Sequence, residues 1–322
     1  MPPHALRIAA LPIVFLALTL GHSERTQTLP ANKTQPTARE IVKRIQDHVG
    51  VPWQTNTVDT FKAGDPDTKV TGVAVTMMAT LDVLQRAAAS GQNLVITHEP
   101  TFYNHEDRFD QIPQKENDDV LAAKLAFIND HHLVIWRFHD HWHGRNPDGI
   151  EAGMVRVLGW QAFQDKQNQY LFTLPETTVE KLAYFLRDRL NLKVMRVVGE
   201  RAMKVSRVAL SPGASGMTHE ITALEIPDVQ LLITGESREW ETVEYVADAV
   251  TEKKNKALII LSHIPSEQAG MEECARWLKP LVPEVPVEFV PAAQPFWMPG
   301  AMEHAVNQIM PPDATPASVT PK

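Results

Sequence analysis

A chain of 322 residues, 43% hydrophobic and 22% charged, has enough apolar matter to pack about two domains and is not a disordered tail. Its 31 Lys and Arg against 39 Asp and Glu give a formal charge of -8, so no cationic excess exists to match a phosphate backbone, which argues against general nucleic-acid binding. The single cysteine, Cys274, permits no internal disulfide and no thiolate zinc cluster; its setting, EECARWL, is that of a small buried residue on a helix.

Residues 1–23 join one basic side chain, Arg7, to an apolar run from Ile8 to Leu20 and close on Gly21, His22 and Ser23, the layout of a signal peptide. Cleavage is expected after Ser23, giving an exported protein, periplasmic or secreted, with no membrane attachment; an uncleaved anchor helix interrupted by Pro12 is the competing reading. Residues 24–36 read as a linker and 311–322, rich in proline, as a disordered tail.

Between these ends, apolar spacing predicts a first α/β lobe over 37–165: helix Ala38–Val49, strand Val70–Thr76, helix Leu81–Ser90, strand Leu94–Thr97, a helix near Asn117–Asn129, strand Leu133–Phe138 and helix Gly149–Leu158. A parallel sheet with flanking helices fits this alternation. A second lobe over 166–295 restarts with strand Tyr170–Thr173, helix Val179–Leu190, strands Lys193–Val197 and Val205–Leu210, and a helix near His219. Strand Val229–Thr234, helix Glu239–Val250, strand Ala257–Leu261, helix Ser266–Leu278 and strand Val287–Val290 complete it, unless the last elements return to the first sheet. In the predicted helix after Val229–Thr234, Trp240, Val243 and Ala247 form a stripe that reads as core.

Three strand ends carry imidazole or carboxylate where open α/β sheets gather their ligands. The first is LVITHEP, which hands His98 and Glu99 to a loop; neighbours on a strand point opposite ways, so they suit two different ions unless Pro100 bends the chain. The second is FHDHWHG, whose His139, His141 and His143 would share one face if extended. The third is SHIPSE, where Pro265 reads as the first helical residue, leaving His263 and Glu267 separated by a turn but able to converge. The run Ser211–Gly216 is a tight strand-to-helix turn that needs glycine, or more weakly an anion cradle. No nucleophile elbow, Walker loop or dinucleotide fingerprint is present.

In this order, TLDVLQRAAASGQNLVITHEP, FHDHWHG followed by DGIEAGMVRVLGW, LLITGE and ALIILSHIPSEQAGMEECARWL resemble the Nif-three-like family of dinuclear-metal hexameric proteins, also labelled type-2 GTP cyclohydrolase I. The resemblance covers roughly Ala38 to Val290. It implies two interlocked α/β lobes with mixed sheets flanked by helices, metal ligands drawn from both halves, and a ring-shaped homohexamer. Carried over by position, the family's His-His-Pro becomes His98-Glu99-Pro100, its His and following Asp become His139 and His143, and its closing His-x-x-x-Glu is His263 and Glu267. The implied metal ligands are therefore His98, Glu99, His143, His263 and Glu267, again three imidazoles and two carboxylates; a shifted registration would use Asp140 in place of His143. Met78 stands where the family often has an Asp.

Mixed imidazole and carboxylate donors suit two divalent ions per chain, zinc, iron or manganese, rather than calcium. Two such ions sharing a water would make a metal-dependent hydrolase, with the family label implying a GTP cyclohydrolase-like reaction on a small molecule. His139, His141 and Glu236 are candidates for orientation or proton transfer. The alternatives are a non-enzymatic metal-binding scaffold, store or sensor, and a protein whose histidines are ordinary loop residues.

Overall fold

The computed structural model describes residues 35–112 and 117–299. The signal peptide with its cleavage site, nearly all of the linker and the 311–322 tail lie outside the described residues.

Helix α1 (Ala38–His48) starts on a reciprocal cap, in which the Glu40 amide donates to the Thr37 hydroxyl and the Thr37 amide to the Glu40 carboxylate. It is followed by β1 (Phe61–Ala63), β2 (Val73–Met78), α2 (Leu81–Ala89) and β3 (Leu94–Glu99). Next come α3 (Asp119–Asp130), β4 (Val134–Arg137), the short α4 (Asp140–His143) and α5 (Gly149–Leu158). All six residues of β3 are buried, as expected of a strand covered on both faces. The chain continues through β5 (Leu171–Thr178), α6 (Val179–Arg189), β6 (Arg196–Val198), β7 (Lys204–Ser211), α7 (Met217–Glu225) and β8 (Leu231–Thr234). It closes with α8 (Glu244–Thr251), β9 (Ala257–Ile260), α9 (His263–Leu278) and β10 (Val287–Phe289).

These strands form two five-stranded mixed sheets flanked by helices, ordered β1-β4-β3-β2-β10 and β5-β7-β8-β9-β6. The first differs from the fully parallel expectation at one edge, where β1 runs antiparallel to β4. In the second, β5 and β6 are both antiparallel edges around a parallel centre. The segment 166–295 does not close a lobe of its own. Its last strand, β10, pairs in parallel with β2, and Met271, Cys274 and Leu278 of α9 pack into the first sheet's core. The two halves are thereby interlocked.

The seam between them is the crossing of α5 and α9. A Cβ added at Gly153 would stand 2.3 Å from the Ala269 carbonyl oxygen, and one at Gly270 would stand 2.4 Å from the Ile150 Cα, so the two backbones touch. Ahead of α8, residues Glu239–Val243 form a wide turn with non-helical backbone at Glu241. The predicted Trp240 stripe does not survive it: Trp240 is turned outward, 72% exposed, with the Arg238 guanidinium 5.9 Å from its ring.

Candidate metal centre

The structure gathers the three strand ends around one cavity of about 340 Å³, lined among others by Glu99, His139, His143, His263 and Glu267. At the end of β3 the Thr97 hydroxyl donates to the Glu99 carbonyl at 2.9 Å, a local turn that lets His98 and Glu99 reach the same space. His98 is 0% exposed. Its Nδ1 donates to the Phe138 carbonyl at 3.1 Å, which leaves Nε2 as the bare donor aimed inward.

The FHDHWHG segment is helical rather than extended, and the cause lies far upstream. The buried Asp59 accepts from the amides of His139 at 2.5 Å, Asp140 at 3.0 Å and His141 at 2.9 Å, nucleating a turn at the N-terminus of α4. In a helical turn His139 and His143 share a face and His141 does not. His141 is committed elsewhere: Nδ1 donates to Asp59 at 2.7 Å, Nε2 accepts from the Gln54 amide at 2.9 Å, and the ring stacks on Trp53 at 3.7 Å. Asp140, the alternative carboxylate, is also spoken for. It accepts from the Thr57 hydroxyl at 2.8 Å and the Val58 amide at 3.1 Å and lies 2.9 Å from His139 Nδ1, contacts that hold its pKa well below the usual carboxylate range.

His143 is oriented by Asp148, which sequence reading did not single out although an Asp ahead of Gly149 is an N-cap signal. Asp148 Oδ2 accepts from His143 Nδ1 at 2.8 Å, while Oδ1 caps α5 by accepting from the Ile150 amide at 2.7 Å. His143 Nε2 then faces His98 Nε2 at 3.1 Å. Burial, with His139 and His143 beside it, drives the His98 pKa far down. Burial opposes a charge on His143 too, but the Asp148 hydrogen bond and nearby carboxylates outweigh it and raise that pKa.

The third strand end is also helical, from His263 onward. Pro265 sits third in α9, where its missing N–H would find no partner in any case, so the helix includes His263 and places Glu267 one turn on, on the same face. This corrects the expectation of a turn between them. His263 Nε2 is 3.2 Å from Glu267 Oε2 and 3.5 Å from Glu99 Oε1, and Nδ1 is 3.2 Å from Glu236 Oε1, so Glu236 stands behind His263. Burial works against protonation of His263, but Glu236, Glu267 and Glu99 overcome it and push its pKa up to about 12. Glu99 responds in kind: burial would raise it, but His263 leads the cationic neighbours that bring it down to about 2. Glu267 is 3% exposed, and the wall behind it is Gly213 (φ +71), where a Cβ would stand 2.0 Å from its Oε1. Gly213 donates its amide to Ser266 Oγ at 3.0 Å, which favours the tight-turn reading of Ser211–Gly216 over the anion cradle.

Two groups of side chains bring their donor atoms within 4.8 Å of one another, His98 with His139 and His143, and His98 with Glu99 and Glu267. His139, read from sequence as an orienting residue, thus joins the donors, and His263 adjoins the second group through Glu99 and Glu267. His98 and His263 are linked through Glu267 Oε2, 3.6 Å from the one and 3.2 Å from the other. The donor set fits a divalent cation on the structure's own terms. Glu267 Oε2 and His263 Nε2 are buried with no hydrogen bond, and two imidazole Nε2 atoms face each other with their second nitrogens already donating.

Residues 37–295 match the model of the Duf34/NIF3 (NGG1p interacting factor 3) family. The chain belongs to the Duf34/NIF3 family. It is 21% identical over 195 residues to the GTP cyclohydrolase 1 type 2 homolog of Clostridium perfringens, covering 58% of this chain and 70% of that one. The homolog of the same name in Clostridium acetobutylicum is 21% identical over 215 residues, 63% of this chain and 75% of the relative. Among solved structures, a Staphylococcus aureus hypothetical protein superposes with a TM-score of 0.64 at 19% identity, covering 82% of this chain and 99% of that one. A Bacillus cereus protein related to NIF3 gives 0.64 at 14%, again over 82% and 99%. The Duf34/NIF3 fold therefore spans nearly all of the described residues.

Proposed function

We propose that this Duf34/NIF3 protein is a metal-dependent hydrolase whose centre takes two divalent ions, zinc, iron or manganese. The observation that supports this is the convergence of Glu99, His139, His143, His263 and Glu267, from β3, the start of α4 and α9, on one cavity, with His98 buried beside them and two of the donor atoms buried and unpartnered. Ions of this class supply Lewis acidity toward a carbonyl or phosphoryl oxygen and lower the pKa of water. The protein's part is orientation: the Phe138 carbonyl and Asp148 present His98 and His143 with Nε2 forward, and Glu236 backs His263. Tyr170 and His219 line the same cavity. Burial, with Asp148 and Glu151 nearby, pushes the Tyr170 hydroxyl up to about 12, so it stays protonated, a hydrogen-bond donor on the cavity wall.

The two clostridial relatives are named GTP cyclohydrolase 1 type 2 homologs, so GTP is one substrate to offer, with phosphoesters and amides beside it. The test is elemental analysis of gently purified protein followed by turnover of those three classes. Activity lost with Glu99→Ala supports the reading. If metal-loaded protein turns over none of them, and a chelator lowers the melting temperature with no activity to lose, a metal-binding scaffold replaces it.

Export and a homohexamer belong to the same proposal. No helix among the described residues is long and apolar enough to cross a membrane, and Phe296, Trp297 and Met298 expose a run of apolar side chains that suits a subunit contact. N-terminal sequencing of exported protein and light scattering test the two claims.

A further inference from the structure

Directly behind Glu99 lies a buried cation. Arg137 ends β4 and is 0% exposed. Its Nε donates to the His98 carbonyl at 3.0 Å, Nη1 donates to the His105 carbonyl, and Nη2, with no hydrogen bond, lies 3.5 Å from Glu99 Oε2. Glu99 is the carboxylate with which it pairs among the described residues. The other Glu99 oxygen, Oε1, faces the cavity, 3.5 Å from His263 Nε2 and 3.6 Å from His139 Nε2. One oxygen is thus held at the rear and one is presented forward.

A fully buried guanidinium is tolerated only when paired, and here it stands on the far side of a carboxylate from the donors of the centre. An imidazole at position 99, the residue the sequence resemblance would place there, would leave that guanidinium facing the bound cations with nothing between them. Carboxylate and guanidinium therefore form a unit, in which the positive charge behind offsets the negative charge in front.

We propose that Arg137 is a positioning residue of the metal centre, holding Glu99 Oε2 so that Glu99 offers a single oxygen forward and balancing the charge that a carboxylate brings to this position. This rests on reading the cavity as a metal centre. The test is a cycle of Glu99→Gln, Arg137→Lys and Arg137→Met, alone and combined, on the full chain, with Zn²⁺ affinity by calorimetry and melting temperature in chelator as separate readouts.

Arg137→Lys keeps the charge and removes the fork, so with Glu99 intact it should lower Zn²⁺ affinity about 10- to 100-fold, the usual cost of losing an orienting partner, and with Glu99→Gln it should lower it hardly at all. Arg137→Met combined with Glu99→Gln should bind Zn²⁺ more tightly than Glu99→Gln alone, because the uncompensated charge is gone. A role confined to packing would lower the melting temperature equally in both backgrounds and leave the affinity effects additive, which overturns the proposal while the metal reading stands. Should Arg137→Met not fold, the Lys cycle alone decides, and Zn²⁺ affinity unchanged by Arg137→Lys overturns it. Wild-type protein that binds no divalent ion sinks the metal reading itself, and this proposal with it.

Discussion

Glu151 offers a quantitative test of the packing behind the centre. It lies on α5, one turn beyond Asp148, is 1% exposed, and neither of its oxygens has a hydrogen bond. Burial first and the Asp148 charge second push its pKa from 4.5 up to about 9. Above 4.5 the unfolded chain gives up this proton and the folded one keeps it, so its contribution falls as pH rises and goes on falling until about pH 9. At about 1.4 kcal/mol per pH unit the loss by neutrality is on the order of 3 kcal/mol. Glu151→Gln keeps the shape without the charge. It should unfold like the wild type at about pH 5 and be more stable by a few kcal/mol at about pH 8, followed by denaturant titration in chelator so that metal binding does not intrude. A variant that is less stable than wild type by the same amount at both pH values would refute the reasoning, since it would mean that Glu151 is ionised and paired in the folded state.

Gly153→Ala forces a methyl against the Ala269 and Gly270 backbone of α9, and should cost about 1–3 kcal/mol or more in denaturant unfolding together with bound metal, because α9 carries His263 and Glu267. Asp59→Ala releases the three amides that start α4; isothermal titration should show divalent-ion affinity reduced about 10- to 100-fold although Asp59 donates no ligand atom. A chelator should lower the melting temperature, and restored free metal at about 100 times its Kd should return about 2.7 kcal/mol. Scanning calorimetry with and without chelator checks this.

The parts of the centre that sequence made legible were those set by local pattern. β3 reads as an apolar run that ends in His98 and Glu99, and α5 was predicted over Gly149–Leu158 as it stands. What sequence hid was set at long range. Nothing within FHDHWHG says that it is helical; Asp59, some eighty residues upstream, decides that, and with it the withdrawal of His141 from the face that His139 and His143 share. β1 is three residues with Lys62 at its middle, too short and too polar to signal a strand. Arg137 reads as an ordinary charged residue closing an apolar strand until the fold sets Glu99 beside it. The start of α9 is ambiguous locally, because Pro265 suits the first helical position and the third tolerates it as well.

The return of α9 and β10 to the first sheet bears on how the molecule is made. Until residue 289 has left the ribosome, β2 has an open hydrogen-bonding edge, and until residue 267 has been added two of the six candidate donors, His263 and Glu267, are missing. A nascent chain can therefore collapse its first half but cannot close it, and pairing across such sequence separation is slow. Loss of the C-terminal third should leave no free-standing N-terminal domain, only a sticky intermediate that lacks His263 and Glu267.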